Sequence, residues 1–366
     1  MGSQGKYYFP QLDSIRGLSF LAVYLFHAVH PPFGEGFISR MLEYFYNSLA
    51  LSIDVFFILS SFLLTWLGIN EYKIKGNFSF INYFIRRVLR IWPLYFLLML
   101  FSFVLLPYVA VRLNVPVTLP PAYYYLYFIS NFYLEGHVYF LRFLWTLSVE
   151  EQFYLLWGIC LLLFQKNIRE CVVVFAATGT IYTIYAVYNK VPYDLNTLTY
   201  LFDFAVGILA AVILQRDNGM VTFFRKNEKH RSFLFMMSLP VLFILFFIAG
   251  DIGGISTKPY WDLAGRYVFI VFVGLFIIEQ MVNEQTVLPL KKYNFLVYTG
   301  KISYGLYCFH GIVLTLGGWL FQRLNTTIPA AVSAGILLIV NYAAASFSYQ
   351  FIEKPFLVLK NKMRRV

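Results

Sequence analysis

The sequence predicts an all-α membrane protein, a bundle of about ten transmembrane helices with both chain termini in the cytoplasm. Hydrophobic residues make up 60% of the chain and charged residues 13%, whereas an ordinary soluble domain is about half apolar. The apolar residues fall into runs long enough to cross a bilayer. Lys and Arg residues are concentrated on alternate loops. These three observations favour a polytopic membrane protein over a soluble domain.

Ten segments are long and apolar enough to span a bilayer, which takes about 20 residues. In chain order they cover residues 13–30, 48–69, 83–106, 145–164, 170–188, 199–215, 233–249, 264–281, 302–321 and 328–350. The aromatic segment 121–136 is shorter and contains Asn131, so we expect an interfacial helix there. The alternative is an eleventh span, which would put the two chain ends on opposite sides of the membrane.

The positions of the 29 Lys and Arg residues favour ten spans. With the N-terminus inside, 21 of them fall on one face of the membrane and seven on the other, and Arg16 lies within the first helix. Because cytoplasmic loops carry the excess of Lys and Arg, both termini are predicted to be cytoplasmic. The net charge of +11 follows from this bias, and no basic–aromatic motif points to nucleic acid as a partner.

We expect a single transmembrane domain over residues 1–366, with a core at about 11–357 and neither a cleaved signal nor an appended soluble domain. The three cysteines, Cys160, Cys171 and Cys308, lie in or beside apolar segments without CxxC spacing. That pattern argues against a disulfide framework and against a metal site.

The first apolar helix is the most informative stretch, because it holds Asp13, Arg16, His27 and His30 in a chain with few charges. Arg16 and His27 are eleven residues apart, close to three helical turns, so they share a face and are separated by roughly 16 Å along the axis. Ionisable side chains in a membrane helix usually face the bundle interior and mark functional sites. We expect both to line one cavity at two depths; the alternative for His27 is a hydrogen-bonded packing residue.

The third span opens with three arginines, Arg86, Arg87 and Arg90, of which Arg86 and Arg90 are spaced to face the same way. They are candidates for binding the phosphates of a cofactor, or they lie at the headgroups under the positive-inside rule. Pro93 is expected to kink the helix one turn further on.

The fourth span begins with Trp145, Ser148, Glu150 and Glu151 at its outer end. Adjacent carboxylates entering a bilayer need a cationic or hydrogen-bonding partner. His27 is predicted to lie at the same level, and a carboxylate beside it could orient the imidazole. The alternative is an interfacial acidic pair.

Four further polar residues lie within apolar spans. Asp54 begins the second span among hydroxyl residues, and Asp203 is an isolated acid to which the sequence assigns no role. Tyr304 and His310 lie on one stretch of the ninth span. For His310 the sequence leaves open a packing role and a role as a second base.

Six strings carry a resemblance to a known family: LDSIRGLSFLAVYLFH, IDVFFILSSFLLT, RRVLRIWPLYF, LWTLSVEEQFYLLW, ISYGLYCFH and FIEKPF. In this order and spacing, over residues 11 to 357, they resemble acyltransferase family 3, the integral-membrane O-acyltransferases that modify bacterial surface carbohydrates. The most specific element is the Arg-x10-His pattern that Arg16 and His27 satisfy.

The resemblance implies transfer of an acetyl or other short acyl group from cytoplasmic acyl-CoA (acetyl-CoA for an acetyl group), as co-substrate, to a hydroxyl of a surface glycan or lipid-linked glycan. O-antigen, exopolysaccharide and lipopolysaccharide are acceptors of this kind, and the location would be the inner (plasma) membrane. By the same resemblance His27 matches the catalytic base, Arg16 its partner on the helix, and Glu150 and Glu151 an acidic pair. Asp13, Asp54, Trp145, Ser148, Tyr304 and His310 are supporting candidates, Arg86, Arg87 and Arg90 match the positions that engage CoA, and no metal is implied.

Two features depart from the family pattern. Ser61 stands where the second string usually has glycine, and we expect no hydrolase-like extracellular domain after the membrane domain. A transporter or flippase for a lipid-linked or small polar substrate is the main alternative, because intramembrane Arg, His and Glu also serve as transport sites. A sensor or scaffold without catalysis is the third possible function.

Overall fold

The computed structural model describes residues 8–112, 116–133, 139–216, 219–226, 228–252, 259–324 and 328–363, and these contain no strand. The α-helices are, in chain order, α1 (Pro10–Ala28), α2 (Phe37–Ser48), α3 (Ser52–Lys75), α4 (Phe80–Leu100), α5 (Leu106–Arg112), α6 (Tyr123–Leu126), α7 (Tyr139–Arg142), α8 (Trp145–Leu163), α9 (Ile168–Tyr188), α10 (Leu201–Leu214), α11 (Gly219–Arg225), α12 (Lys229–Ile252), α13 (Pro259–Val282), α14 (Asn294–Lys301), α15 (Ser303–Arg323), α16 (Ala330–Ser348) and α17 (Lys354–Met363). Short 3₁₀ turns cover Leu49–Leu51, Ser130–Phe132, Gln165–Asn167, Thr197–Tyr200 and Leu290–Lys292, and π-helical turns cover Phe101–Leu105 and Tyr349–Glu353.

Nine helical segments of the described residues are long and apolar enough to cross a membrane. They are Phe37–Lys75, Phe80–Arg112, Phe140–Leu163, Gln165–Tyr188, Thr197–Leu214, Lys229–Asp251, Pro259–Val282, Ser303–Arg323 and Ala330–Leu359. Each overlaps one of the predicted spans from 48–69 onwards. The prediction of an all-α polytopic bundle is therefore confirmed.

The remaining predicted span, 13–30, is the first in the chain and corresponds to α1, whose 19 residues reach about 28 Å at 1.5 Å per residue. Its polar residues, among them Asp13, Arg16 and His27, lower its hydropathy below that of the other nine. Leu12, Phe20 and other side chains of α1 are nonetheless buried among the neighbouring helices. The helix is long enough to span the bundle, and its buried face carries both polar and apolar side chains.

The aromatic segment predicted to be interfacial contains only α6 and the 3₁₀ turn Ser130–Phe132 in its described part. Neither element approaches the length of a transmembrane helix. Tyr95 donates a hydrogen bond to the carbonyl of Tyr125 at 2.8 Å, which holds the segment against α4. The structure thus offers no eleventh span among residues 116–133, and residues 134–138 lie outside the described part.

Helix α14 packs backbone to backbone against the start of α1. A Cβ atom at Gly300 would lie 1.7 Å from the carbonyl oxygen of Asp13, and one at Gly17 would lie 2.5 Å from the carbonyl oxygen of Leu296. Only glycine allows such an approach, because any Cβ would overlap the facing backbone. The contact fixes the start of α1, and with it Arg16, relative to α14 and α15.

Helices α3 and α10 also pack closely, at the position where the sequence departs from the family pattern. Ser61 donates a hydrogen bond to the carbonyl of Ile58 at 3.0 Å. A Cβ atom at the facing Gly207 would lie 2.0 Å from the hydroxyl oxygen of Ser61. A glycine on α10 therefore makes room for the serine on α3.

Lys- and Arg-rich segments lie together at one end of the bundle, which we call the basic end and define by residues 71–79, 219–226 and 283–293. There Lys73 donates to the side chain of Gln215 at 2.7 Å, and Ser14 of α1 donates to the carbonyl of Leu290 at 2.8 Å. Helix α1 runs from this end to the far end, defined by residues 29–36 and 189–196. That the basic end faces the cytoplasm stays a prediction.

Candidate functional site

A cavity of about 70 Å³ lies inside the bundle, where α1, α3, α4, α8 and α15 meet. Space of this size holds a few water molecules. Its wall combines charged, hydroxyl-bearing and apolar side chains. They are Arg16, Arg87, Arg90 and Glu150; Ser60, Thr146, Tyr154, Ser303, Tyr304 and Tyr307; and Ile53, Phe56, Phe57, Ile91 and Leu147. We refer to this space as the arginine cavity.

Three guanidinium groups reach the arginine cavity from two helices. Arg16 of α1 is buried and lies 3.6 Å from the carboxylate of Asp13. Arg87 of α4 is equally buried, with its guanidinium carbon 5.4 Å from the centroid of the Tyr154 ring. Among the described residues, neither Arg87 nor Arg90 has a carboxylate within 4 Å. The cavity therefore holds buried positive charge without a matching number of acids.

The arginine cluster of the third span divides between two environments. Arg86 points away from the arginine cavity and forms an ion pair with Glu71 at 2.7 Å. Arg87 and Arg90, three residues apart, line the cavity together. The spacing argument paired Arg86 with Arg90, but side chains three residues apart also share a helical face. Helix α4 continues through Pro93 from Phe80 to Leu100.

The two adjacent glutamates of α8 face in different directions, as consecutive helical residues do. Glu150 lines the arginine cavity and accepts a hydrogen bond from the Ser60 hydroxyl at 2.7 Å. Ser60 in turn accepts one from the Tyr154 hydroxyl at 3.3 Å. Glu151 lies outside the cavity wall, where one oxygen accepts from the indole of Trp92 at 3.4 Å. The other oxygen of Glu151 is buried without a partner among the described residues.

His27 lies at the other end of α1 and is not part of the arginine cavity wall. Its side chain is partly exposed, and its ring centroid is 4.5 Å from that of Phe143 and 5.7 Å from that of His310. No carboxylate of the described residues lies within 4 Å of it. The expected contact between His27 and Glu150 is absent, because Glu150 lies roughly 7.5 Å deeper along α8 than Trp145 and faces Arg16 instead.

His310 is fully buried beside His27. Its Nδ1 is 2.5 Å from the carbonyl oxygen of Tyr307, and its Nε2 has no partner among the described residues. Tyr307 lines the arginine cavity and has its ring centroid 5.2 Å from that of His310. Its hydroxyl donates to the carbonyl of Phe143 at 2.8 Å and accepts from Thr146 at 2.7 Å. Tyr307 is thus a shared wall between the arginine cavity and the two histidines.

Asp54 belongs to a separate buried ion cluster. Arg266 makes two hydrogen bonds to its carboxylate, at 3.0 and 3.2 Å, and a third to Asp203 at 2.9 Å. The guanidinium carbon of Arg266 lies 4.9 Å from the centroid of the Tyr200 ring. Since Arg266 is satisfied by two acids and an aromatic face, we regard the cluster as the connection between α3, α10 and α13.

Of the remaining predicted residues, one lines the arginine cavity and two lie outside it. Tyr304 lines the arginine cavity and donates to the carbonyl of Ile91 at 2.6 Å. Ser148 is buried outside the cavity and shares a hydrogen bond with the Ser130 hydroxyl at 2.8 Å. Trp145 is also outside it, packed against aromatic side chains.

The predicted residues therefore form three groups. Those at the arginine cavity are Arg16, Arg87, Arg90, Glu150 and Tyr304, with Asp13 bound to Arg16. Those at the histidine pair are His27 and His310. Those outside both are Arg86, Asp54, Trp145, Ser148 and Glu151.

Sequence reasoning missed several polar residues of the arginine cavity, chiefly Ser60, Tyr154 and Thr146. Ser60 belongs to a run of hydroxyl residues that usually indicates helix packing. The one available signal was spacing: Tyr154 follows Glu150 by four residues and so lies on the same face of α8. In the described part of the chain, no group of three or more His, Cys, Asp or Glu side chains is arranged to hold a metal ion.

Comparison with known proteins agrees with the resemblance seen in the sequence. A family model described as an acyltransferase domain matches residues 9–346. The O-acetyltransferase OatA of Staphylococcus aureus, in strains NCTC 8325 and COL, is 27% identical over 380 residues, an alignment that covers 95% of this chain and 57% of the relative. Proteins of strains COL and N315 with a provisional O-acetyltransferase name are 25% identical over the same length.

The chain thus spans a little over half the length of these relatives. No solved structure matches it. The family match covers nearly the whole chain, including the α1 helix with Arg16 and His27, the arginines of α4 and the glutamates of α8. This chain belongs to the acyltransferase family that the domain model describes, as the resemblance to acyltransferase family 3 predicted.

Proposed function

We propose that this protein is a membrane O-acyltransferase. It takes an acetyl or other short acyl group from acyl-CoA, bound at the arginine cavity, and transfers it to a hydroxyl of a cell-surface glycan near His27. Family membership and the names of the relatives support O-acetyl transfer as the reaction class. The choice of CoA as donor and of a glycan as acceptor depends on the chemistry of the site.

The observation that carries the proposal is the excess of positive over negative charge at the arginine cavity. Arg16, Arg87 and Arg90 converge on a space whose wall has one carboxylate, Glu150. Buried charges are costly unless they are paired, so such a cavity favours an anionic ligand. Guanidinium groups bind phosphate oxygens with charge-assisted and often bidentate hydrogen bonds. The phosphates of CoA satisfy this requirement, whereas a neutral or cationic transport substrate does not.

The distance between the arginines and His27 suits a long donor. Arg16 and His27 are about 16 Å apart along α1. CoA carries its phosphates at one end and its thioester at the other, joined by an extended arm. We propose that the phosphates bind at the arginine cavity and the thioester reaches the histidines. Because the present space of about 70 Å³ holds only a few water molecules, we propose that the cavity widens when the donor binds.

His27 is proposed as the general base. Its imidazole takes the proton of the acceptor hydroxyl as the oxygen attacks the thioester carbonyl. A carbon–oxygen bond forms, the carbon–sulfur bond breaks, and the proton passes to the departing thiolate of CoA. His27 is partly exposed near the far end of the bundle, where an acceptor has access to it.

The charge bias of the loops supports an orientation with the basic end, and both termini, in the cytoplasm. Acyl-CoA would then enter from the cytoplasm, and the glycan or lipid-linked glycan would meet His27 from outside, at the plasma membrane. We propose that residues 1–366 form one transmembrane acyltransferase domain.

The test is acyl transfer by the purified full chain in lipid nanodiscs, with radiolabelled acetyl-CoA and surface polysaccharide from the same cells. We expect label in the polysaccharide with wild-type protein and at least a 100-fold slower rate with His27→Ala. Wild-type protein that binds no acetyl-CoA and labels no acceptor would overturn the proposal. Movement of a lipid-linked sugar across the bilayer without acyl transfer would favour the transporter alternative.

A further inference from the structure

The buried histidine of α15 is held in one orientation by its own helix. Nδ1 of His310 lies 2.5 Å from the carbonyl oxygen of Tyr307, one turn earlier. A carbonyl only accepts, so Nδ1 carries the hydrogen and donates it. The ring of a neutral histidine has one protonated nitrogen, and Nε2 is therefore the nitrogen with the lone pair. The hydrogen bond fixes both the tautomer and the direction of the ring.

That lone pair is not satisfied by the described residues. Nε2 of His310 is buried with no hydrogen-bond partner among them, and the side chain is fully buried. Buried polar atoms without a partner are rare and indicate strain, a functional role or a water molecule. A packing histidine gains nothing from an unpaired buried acceptor, whereas a residue that orients a neighbour by accepting a hydrogen bond requires a free acceptor.

The imidazole of His27 is a polar group beside the ring that carries this acceptor. The two ring centroids are 5.7 Å apart and the planes differ by 30°. No hydrogen bond among the described residues joins the two rings directly, so a contact between their nitrogens requires a bridging water. His27 has no hydrogen bond to any described residue, so no other polar group in that part of the chain is bonded to its ring nitrogens. The ring of Phe143 lies 4.5 Å from His27 and 4.6 Å from His310, and it closes one side of the pair.

Close helix packing sets this geometry. A Cβ atom at Gly311 would lie 2.6 Å from the Phe143 ring and 3.0 Å from the Cα atom of Phe140. The absence of a side chain at Gly311 therefore lets α15 approach the segment that precedes α8. The Phe143 ring consequently packs against both histidines.

We propose that His310 is the positioning partner of His27, with its Nε2 accepting the hydrogen of one His27 nitrogen through a single water molecule. The inference rests on the proposed function in which His27 is the base. The contact leaves the other nitrogen of His27 unprotonated and directed at the acceptor hydroxyl. His310 acts through His27 and touches no reacting atom. The proton of the hydroxyl goes to His27 and then to the departing thiolate, so His310 gains and loses none over the cycle.

The first test observes the tautomers directly. The full chain, labelled with ¹⁵N at its five histidines, is examined by NMR in nanodiscs, and signals are assigned with single His→Gln variants. We expect a protonated Nδ1 and an unprotonated Nε2 at His310, and a change in the His27 signals in His310→Leu. His230→Gln, which alters an exposed histidine, serves as the control and leaves His27 unchanged. A protonated Nε2 at His310 in the wild type would overturn the proposal.

The second test separates positioning from packing by kinetics. Glutamine keeps an acceptor near the position of Nε2, whereas leucine fills the space without one. We expect His310→Leu to lower kcat on the order of 100-fold, with KM for acetyl-CoA within threefold of wild type. We expect the kcat of His310→Gln to be at least tenfold higher than that of His310→Leu. Equal rates for the two variants would overturn the proposal. If the wild-type protein transfers no acyl group, the proposed function fails. The NMR spectrum of the wild type still shows whether Nε2 of His310 is the unprotonated nitrogen that the inference requires.

Discussion

Arg86 and Arg87 are neighbours in the chain, yet among the described residues Arg86 forms an ion pair with a carboxylate and Arg87 does not. The guanidinium of Arg86 lies 2.7 Å from Glu71, whereas Arg87 is buried over the Tyr154 ring with no carboxylate within 4 Å among the described residues. One helical step of 100° separates a structural ion pair from the wall of the arginine cavity. The neighbouring arginines are therefore expected to respond differently to the same substitution.

Arg87→Gln and Arg90→Gln are each expected to weaken acetyl-CoA binding by roughly 10- to 100-fold, the loss of one charge-assisted hydrogen-bonded contact. Arg86→Gln is the matched control, and it should change the dissociation constant less than threefold while lowering thermal stability, because Glu71 loses its partner. Equilibrium binding of labelled acetyl-CoA in detergent gives the comparison. A larger binding loss in Arg86→Gln than in Arg87→Gln would count against the arginine cavity as donor site.

Glu150→Gln is expected to bind acetyl-CoA at least as tightly as wild type. Glu150 is the one carboxylate among the residues that line the cavity, so its removal makes the site more positive. Its hydrogen bond from Ser60 is retained by the amide oxygen. Glu151→Gln, one residue away and outside the cavity wall, should leave the affinity unchanged. Tenfold weaker binding in Glu150→Gln would show that the anionic donor lies elsewhere.

Gly300→Ala is expected to destabilise the fold, since its Cβ would lie 1.7 Å from the carbonyl oxygen of Asp13 and the two helices would have to separate. Overpacking of this kind costs about 1–3 kcal/mol or more. Gly335→Ala on α16 is the matched control, because a Cβ there meets nothing within 4 Å and alanine favours a helix over glycine. Thermal unfolding in one detergent compares the two. Equal transition temperatures would contradict the close approach of α1 and α14.

Arg266→Leu is expected to cost about 3–5 kcal/mol, because it leaves the carboxylates of Asp54 and Asp203 buried without a cation. The triple variant Arg266→Leu/Asp54→Asn/Asp203→Asn removes the charges together and should recover most of the loss. Acetyl-CoA binding should be unchanged in the triple variant, since the cluster lies outside the arginine cavity. If the triple variant is no more stable than Arg266→Leu alone, the three groups do not form one charge cluster.

The sequence was sufficient for the architecture. Hydropathy located the long apolar helices of the described residues, because a segment that crosses a bilayer must be apolar over about 20 residues. Arg16 stood out for the complementary reason, as a charge placed where a charge is costly. Both inferences depend only on the residues of one segment. In the structure, long apolar helices overlap the predicted spans, and Arg16 lines the arginine cavity.

Inferences that require long-range contacts were out of reach. Arg266 contributes to the loop charge count, yet it binds Asp54 and Asp203, 212 and 63 residues away in sequence. The predicted topology placed Glu150 and His27 at one level, but in the structure Glu150 lies deeper along α8 and lines the cavity with Arg16. Rotations and pairings of helices depend on packing across the bundle, which no single segment encodes.

The most direct measurement is a cryo-electron microscopy structure of the full chain in nanodiscs with a non-hydrolysable acetyl-CoA analogue. The proposed function predicts phosphate oxygens within hydrogen-bonding distance of Arg87 and Arg90, a widened arginine cavity, and the acyl end directed along α1 towards His27. Density for the analogue elsewhere, with Arg16, Arg87 and Arg90 still enclosing a small empty cavity, would contradict it.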